Sequence, residues 1–139
     1  MNKNLDSINV ELVVAACQME TNHIWMQGDL AVRLNGEKPY ADSDLVDADE
    51  LLKSLEQDGE FFIFFCCCGV PQCSGWNSGV EVIHSEDTIT WINPNNGKTW
   101  CFSRQKIEDD LKEIREELAN YKAFFSEKNI EYVGVGYNW

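Results

Sequence analysis

Four of the six cysteines fall within eight residues, Cys66-Cys67-Cys68-Gly69-Val70-Pro71-Gln72-Cys73, directly after the most apolar run of the chain, Phe61-Phe62-Ile63-Phe64-Phe65. Thiolates are soft metal ligands and good nucleophiles, so this segment raises two chemistries. A zinc site takes four sulfur or imidazole donors, usually from closely spaced pairs. Cys66 and Cys68 would share one face of a strand, where side chains alternate. The Gly69-Val70-Pro71 turn would then return Cys73 towards them. Cys66, Cys68 and Cys73 are therefore the candidate zinc ligands. A fourth donor would have to be Cys17, His84 or Cys101, each distant in sequence, and no second cysteine pair exists.

Redox or nucleophilic chemistry fits less well. Cys68 and Cys73 have four residues between them, where the thioredoxin-like motif has two. Neither His23 nor His84 stands at a spacing that makes it the base for a thiol. Surrounding acids would also raise a thiol pKa. Free cysteine is among the most buried residue types, so the simplest expectation makes Cys66, Cys67 and Cys68 small core residues, with no cofactor. Zinc on the cysteine cluster is the alternative.

The second constellation is acidic. Between Glu37 and Glu60 stand nine acids and two lysines, densest at Asp42, Asp44, Asp47, Asp49 and Glu50. An acidic loop leading into a helix can steer and dock a basic protein. Helix starts favour acids in any case, which accounts for part of the bias. The spacing lacks the glycine and ligand positions of an EF-hand, which argues against calcium. Trp76, in the turn between Cys73 and Gly79, joins these acids as a candidate partner contact, because exposed tryptophans anchor interfaces. The other tryptophans, Trp25, Trp91, Trp100 and Trp139, are expected mainly in the core. No carboxylate pair for hydrolysis, glycine-rich phosphate loop or Ser/His/Asp pattern is recognisable, so a non-enzymatic role is expected.

Length and charge set the frame. At 139 residues the chain is one domain, residues 1–139. A chain of this size buries about two-thirds of its unfolded surface, so it needs neither disulfides nor metal to be stable. The net charge of −13, from 24 acidic and 11 basic side chains, repels phosphate backbones and argues against nucleic acid. No run of apolar residues is long enough for a membrane span. Met1-Asn2-Lys3-Asn4-Leu5-Asp6 has no apolar signal core. The default expectation is a cytoplasmic protein with reduced thiols.

The elements that must carry these residues are legible in outline. Residues 9–18 read as a strand or a short buried helix, and 24–27 and 30–34 as extended. Asn35-Gly36 is a two-residue hairpin signal. A helix is predicted over 42–58, with Asp47 as N-cap, Leu51, Leu52 and Leu55 as its apolar face, and Gly59 ending it. Phe61 to Cys68, apolar on both alternating faces, predicts a central strand covered on both sides. Residues 79–84 and 88–92 alternate and should pair across Ser85-Glu86-Asp87. Asn93-Pro94-Asn95-Asn96-Gly97 is a turn cluster. A strand is expected over 99–102. Ile107, Leu111, Ile114, Leu118, Tyr121 and Phe125 then form one stripe of a long amphipathic helix, which Ser103 can cap. Residues 130–137 close the chain as a strand. The expected fold class is α+β: a mostly antiparallel sheet with this long helix and the shorter one packed on it.

The segment Phe64-Phe65-Cys66-Cys67-Cys68-Gly69-Val70-Pro71-Gln72-Cys73-Ser74-Gly75-Trp76, followed by Thr88-Ile89-Thr90-Trp91, resembles a family of small uncharacterised bacterial proteins. Their pattern is an apolar strand, C-x-C-G-x-x-x-C-x-G, and a strand ending in tryptophan. The resemblance covers residues 28–125. It implies a single α+β domain and marks Cys67 as an addition to the pattern. By size and charge alone the chain is also similar to immunity proteins of bacterial toxins. That likeness implies a toxin inhibitor that covers the active site of a basic toxin domain, docking through the acids at 42–50.

Overall fold

The computed structural model describes residues 4–20 and 23–137. Trp139 lies outside them. The first two strands, β1 (Ile8–Glu20) and β2 (His23–Leu34), form a long antiparallel hairpin. Residues 24–27 and 30–34 are thus parts of one strand. Ile8, Val10, Leu30, Val32 and Leu34 share its inner face and are buried. Asn35 (φ 54°) and Gly36 (φ 83°) make the expected tight turn, yet only a single bridge, Leu34 to Glu37, follows it. The chain then bends away, and Tyr40 returns its hydroxyl to accept the Val32 N–H at 3.0 Å.

Only part of 42–58 is helical. Asp44–Val46 is a short strand, β3, and α1 runs from Ala48 to Ser54. Asp47 is the N-cap, its carboxylate accepting from the N–H groups of Asp49 (3.1 Å) and Glu50 (3.2 Å). Glu50 turns to Lys53 at 3.6 Å. The boundary moved because Leu45 and Val46 have a strand partner that propensity alone does not reveal.

The apolar run after α1 is not one central strand. It splits into β4 (Gly59–Phe61) and β5 (Phe64–Cys66), which belong to different sheets. β4 edges a four-stranded antiparallel sheet of order β4-β6-β7-β8, with β6 Val80–His84, β7 Thr88–Ile92 and β8 Thr99–Ser103. Among the described residues β5 pairs with β3 alone. Phe61, Ile63 and Phe64 are all buried because the run crosses between two layers.

The long helix α2 (Arg104–Glu127) begins as expected, with Ser103 Oγ accepting the Lys106 N–H at 3.2 Å. Ile107, Leu111, Ile114, Leu118 and Phe125 are buried along one stripe. Tyr121, in the same stripe, stays 38% exposed and stacks on Phe125. After α2, β9 (Glu131–Val135) pairs with β2 in parallel, completing a sheet of order β1-β2-β9. The fold is α+β, rich in antiparallel pairing. Its centre is aromatic. Phe64 stacks on Tyr40 (4.6 Å) and meets Trp91 edge-on (6.1 Å), and Trp91 meets Phe102 the same way (5.1 Å).

Candidate metal centre

β5 delivers Cys66 to the edge of this aromatic core and ends there. The Gly69 N–H donates to the Cys66 carbonyl (2.7 Å), closing a turn with Cys67 and Cys68 at its two central positions. Gly69 follows with φ +91°, a conformation that side-chain-bearing residues rarely adopt. Val70 then leads into a single 3-10 turn, Pro71–Ser74. Proline suits its first position because φ is already fixed there and no N–H is needed. Gly75 closes that turn in the left-handed region, at φ +90°. Trp76 comes next and is 5% exposed, its ring 5.3 Å from that of Phe64. The loop is thus pinned at both ends to the same core aromatic residue.

The result is that Cys66, Cys68 and Cys73 place their Sγ atoms within 4.8 Å of one another. Cys66 is half-buried, and Cys68 and Cys73 are exposed. Sulfur atoms bound to one ion at about 2.3 Å lie about 3.8–4.0 Å apart, so a small closing movement would suffice. Cys67 is exposed and stands outside this mutual cluster, although its thiol meets that of Cys66. The expectation that Cys66–Cys68 are core residues is therefore corrected. β5 ends one residue into the cysteine run, and the turn carries Cys67 and Cys68 out to solvent.

The three thiols are not equivalent. The Cys66 thiol is lowered to about 6, above all by the backbone N–H of Cys68 and further by the thiols of Cys68 and Cys73. The Cys73 thiol is pushed up to about 11, because its proton is held between Cys68 and Cys66. Cys67 is raised by its neighbour Cys66. One proton thus leaves the cluster early and another late, as expected for thiols sharing one site. The anticipated effect of the acidic surroundings is overridden at Cys66 by local hydrogen bonding.

Next to the thiols stands Asp44, directly opposite Cys66 in the β3–β5 ribbon. Its carboxylate accepts the Ser74 hydroxyl and the Ala41 N–H (3.2 Å). A hydroxyl has one proton, and a carboxylate only accepts, so that proton goes to Asp44 and not to the Cys66 sulfur. The thiolate then relies on the Cys68 N–H and the neighbouring thiols.

The remaining sequence candidates distribute as follows. Asp44 (6% exposed) and Trp76 are buried, which corrects their assignment as partner contacts. Asp44 is needed to hold Ser74, and Trp76 to anchor the loop. Asp47 caps α1, while Asp42 and Asp49 are exposed and Glu50 is half-buried. None of the three candidate fourth donors joins the thiol cluster. Cys17 lies on β1, 3.7 Å from the Gln27 side chain. Cys101 is half-buried in β8. His84 is not a free solvent-facing residue: its Nε2 lies 2.7 Å from the Ser54 carbonyl and its Nδ1 accepts from Arg104 at 2.9 Å.

Ser74 was missed in the sequence, although its position beside Cys73 was available as a signal. Comparison with protein-family models, curated proteins and solved structures returned no match. The resemblance over 28–125 therefore transfers no role to these residues, and their chemistry is argued from the geometry alone.

Proposed function

We propose that this protein binds a thiophilic metal ion through Cys66, Cys68 and Cys73. The observation that carries the reading is the convergence of three Sγ atoms within 4.8 Å on a loop held by two turns and a buried tryptophan. Soft thiolates select cuprous copper, zinc and iron–sulfur species over hard cations. The Asp44–Ser74 hydrogen bond supports the reading, because it ties the loop end that carries Cys73 to the strand opposite Cys66. The acidic field around the loop also favours a cation over an anion.

The test uses the reduced, metal-free full chain. Zinc and cuprous ions are titrated in separately, and bound equivalents are read by native mass spectrometry. One equivalent of at least one ion is expected. Cys66→Ser, Cys68→Ser and Cys73→Ser should each lose it, and Cys67→Ser should keep it. Absence of binding by the unmodified chain, or retention by all three cluster variants, would overturn the proposal.

A further inference from the structure

We propose that this site takes a monovalent thiophilic ion, with cuprous copper as the probe, in three-sulfur coordination, and passes it on by thiol exchange. This inference rests on the metal-binding reading of the same three cysteines. The first argument is the donor count. Among the described residues the cluster holds three sulfurs; no His, Asp, Glu or further Cys lies within 4.8 Å of all three, and Cys67 meets Cys66 alone of the sulfurs by hydrogen bond. Both ring nitrogens of His84 are already engaged, and Cys17 sits on the β1–β2 hairpin. Three thiolates complete the coordination of a cuprous ion in a plane. Structural zinc is four-coordinate, so the same set leaves it one donor short. Local acidity would draw the divalent ion more strongly, but it supplies no fourth ligand.

The second argument is placement. A structural zinc site is closed and supplies the folding energy of its domain. Here the loop is anchored by aromatic packing, Trp76 against Phe64 and Phe64 in turn on Trp91. Cys68 and Cys73 remain exposed to solvent. An outside thiol can therefore reach the ion from solvent through these two residues.

The exchange step is a ligand substitution at constant oxidation state. An incoming thiol gives its proton to water, and its sulfur lone pair forms a copper–sulfur bond. The bond to Cys68 or Cys73 breaks, and that sulfur takes a proton from water. Repetition moves the ion to the acceptor, with copper remaining monovalent throughout.

The experiment loads the reduced full chain with one cuprous ion under anaerobic conditions and records X-ray absorption. It then adds excess small dithiol as acceptor, with the zinc titration run in parallel. Three sulfur neighbours with no oxygen or nitrogen, and complete transfer to the dithiol, are expected. Cys68→Ser and Cys73→Ser should lose the three-sulfur signature while leaving the circular dichroism spectrum unchanged. Zinc bound with three sulfurs and one oxygen, in preference to cuprous copper, would overturn this inference but leave the metal-binding reading standing. A cuprous ion that the dithiol fails to remove would overturn exchange. Binding of neither ion would overturn both.

Discussion

Asp44 faces Cys66 across the β3–β5 ribbon and accepts the hydroxyl proton of Ser74, eight residues beyond Cys66 in the chain. One buried carboxylate therefore ties the start of the thiol loop to its end. Hydrogen bonds to charged groups contribute about 1.5–3 kcal/mol, and Asp44 is largely removed from water. Ser74→Ala should lower unfolding free energy by about 1–3 kcal/mol, read by urea denaturation. The same variant separates two assignments of one proton. Since that proton serves Asp44, the Cys66 titration should be the same in Ser74→Ala as in the unmodified chain. A move towards the ordinary thiol value of 9.0 would place the proton on the sulfur instead.

The unequal thiols predict a distinctive pH profile for the metal-free, reduced protein. Thiolate absorbance in the ultraviolet should rise in a first step near pH 6, from Cys66, and in a last step near pH 11, from Cys73. Cys66 is lowered on folding, so its contribution to stability is fully present above the unfolded value of 9.0 and is lost as pH falls through about 6. Cys73 is raised, so its contribution is present below 9.0 and is lost as pH rises through about 11. Mass-resolved alkylation across this range checks the assignment. Equal reaction of both residues at every pH would contradict it.

Trp76 predicts a stability effect that an exposed partner contact would not show. Truncating a buried tryptophan costs about 3–5 kcal/mol, so Trp76→Ala should unfold at clearly lower urea concentration. It should also release the loop, weakening the convergence of Cys73 on Cys66. Trp76→Phe keeps an aromatic contact with Phe64 and should retain most of both properties. An unchanged unfolding midpoint in Trp76→Ala would mean that the side chain is not the loop's anchor.

The sequence was most legible where one periodicity ran unopposed. The spacing of Ile107, Leu111, Ile114, Leu118 and Phe125 marked α2, and alternation marked β6 and β7. It misled where one apolar run served two layers. Phe61 to Cys68 has the pattern of a covered central strand, but the chain crosses between sheets at Phe62 and Ile63. That crossing depends on β3, a three-residue strand whose partner β5 lies some twenty residues downstream. The same misreading hid the site. A continuous strand would bury Cys67 and Cys68, whereas the turn after Cys66 exposes both. Gly69 and Pro71 did signal that the chain reverses before Cys73.

His84 gives the last prediction, and it concerns how the sheet holds α1. Arg104 carries only donors, so the Nδ1 atom it meets at 2.9 Å must accept. The proton of the neutral ring then sits on Nε2 and is donated to the buried Ser54 carbonyl at 2.7 Å. Nitrogen-15 correlation spectra of the ring should show the Nε2–H tautomer; an Nδ1–H ring would exclude this arrangement. The ring joins the end of β6 to the last residue of α1 and to the first residue of α2. His84→Ala leaves the Ser54 carbonyl and one Arg104 donor without this partner. Arg104 keeps its bond to the Ser85 carbonyl, so the buried Ser54 carbonyl is the group left unsatisfied, at a cost of about 1–3 kcal/mol. The variant should therefore lose stability within that range, and hydrogen exchange should show the loss concentrated in the amides of α1.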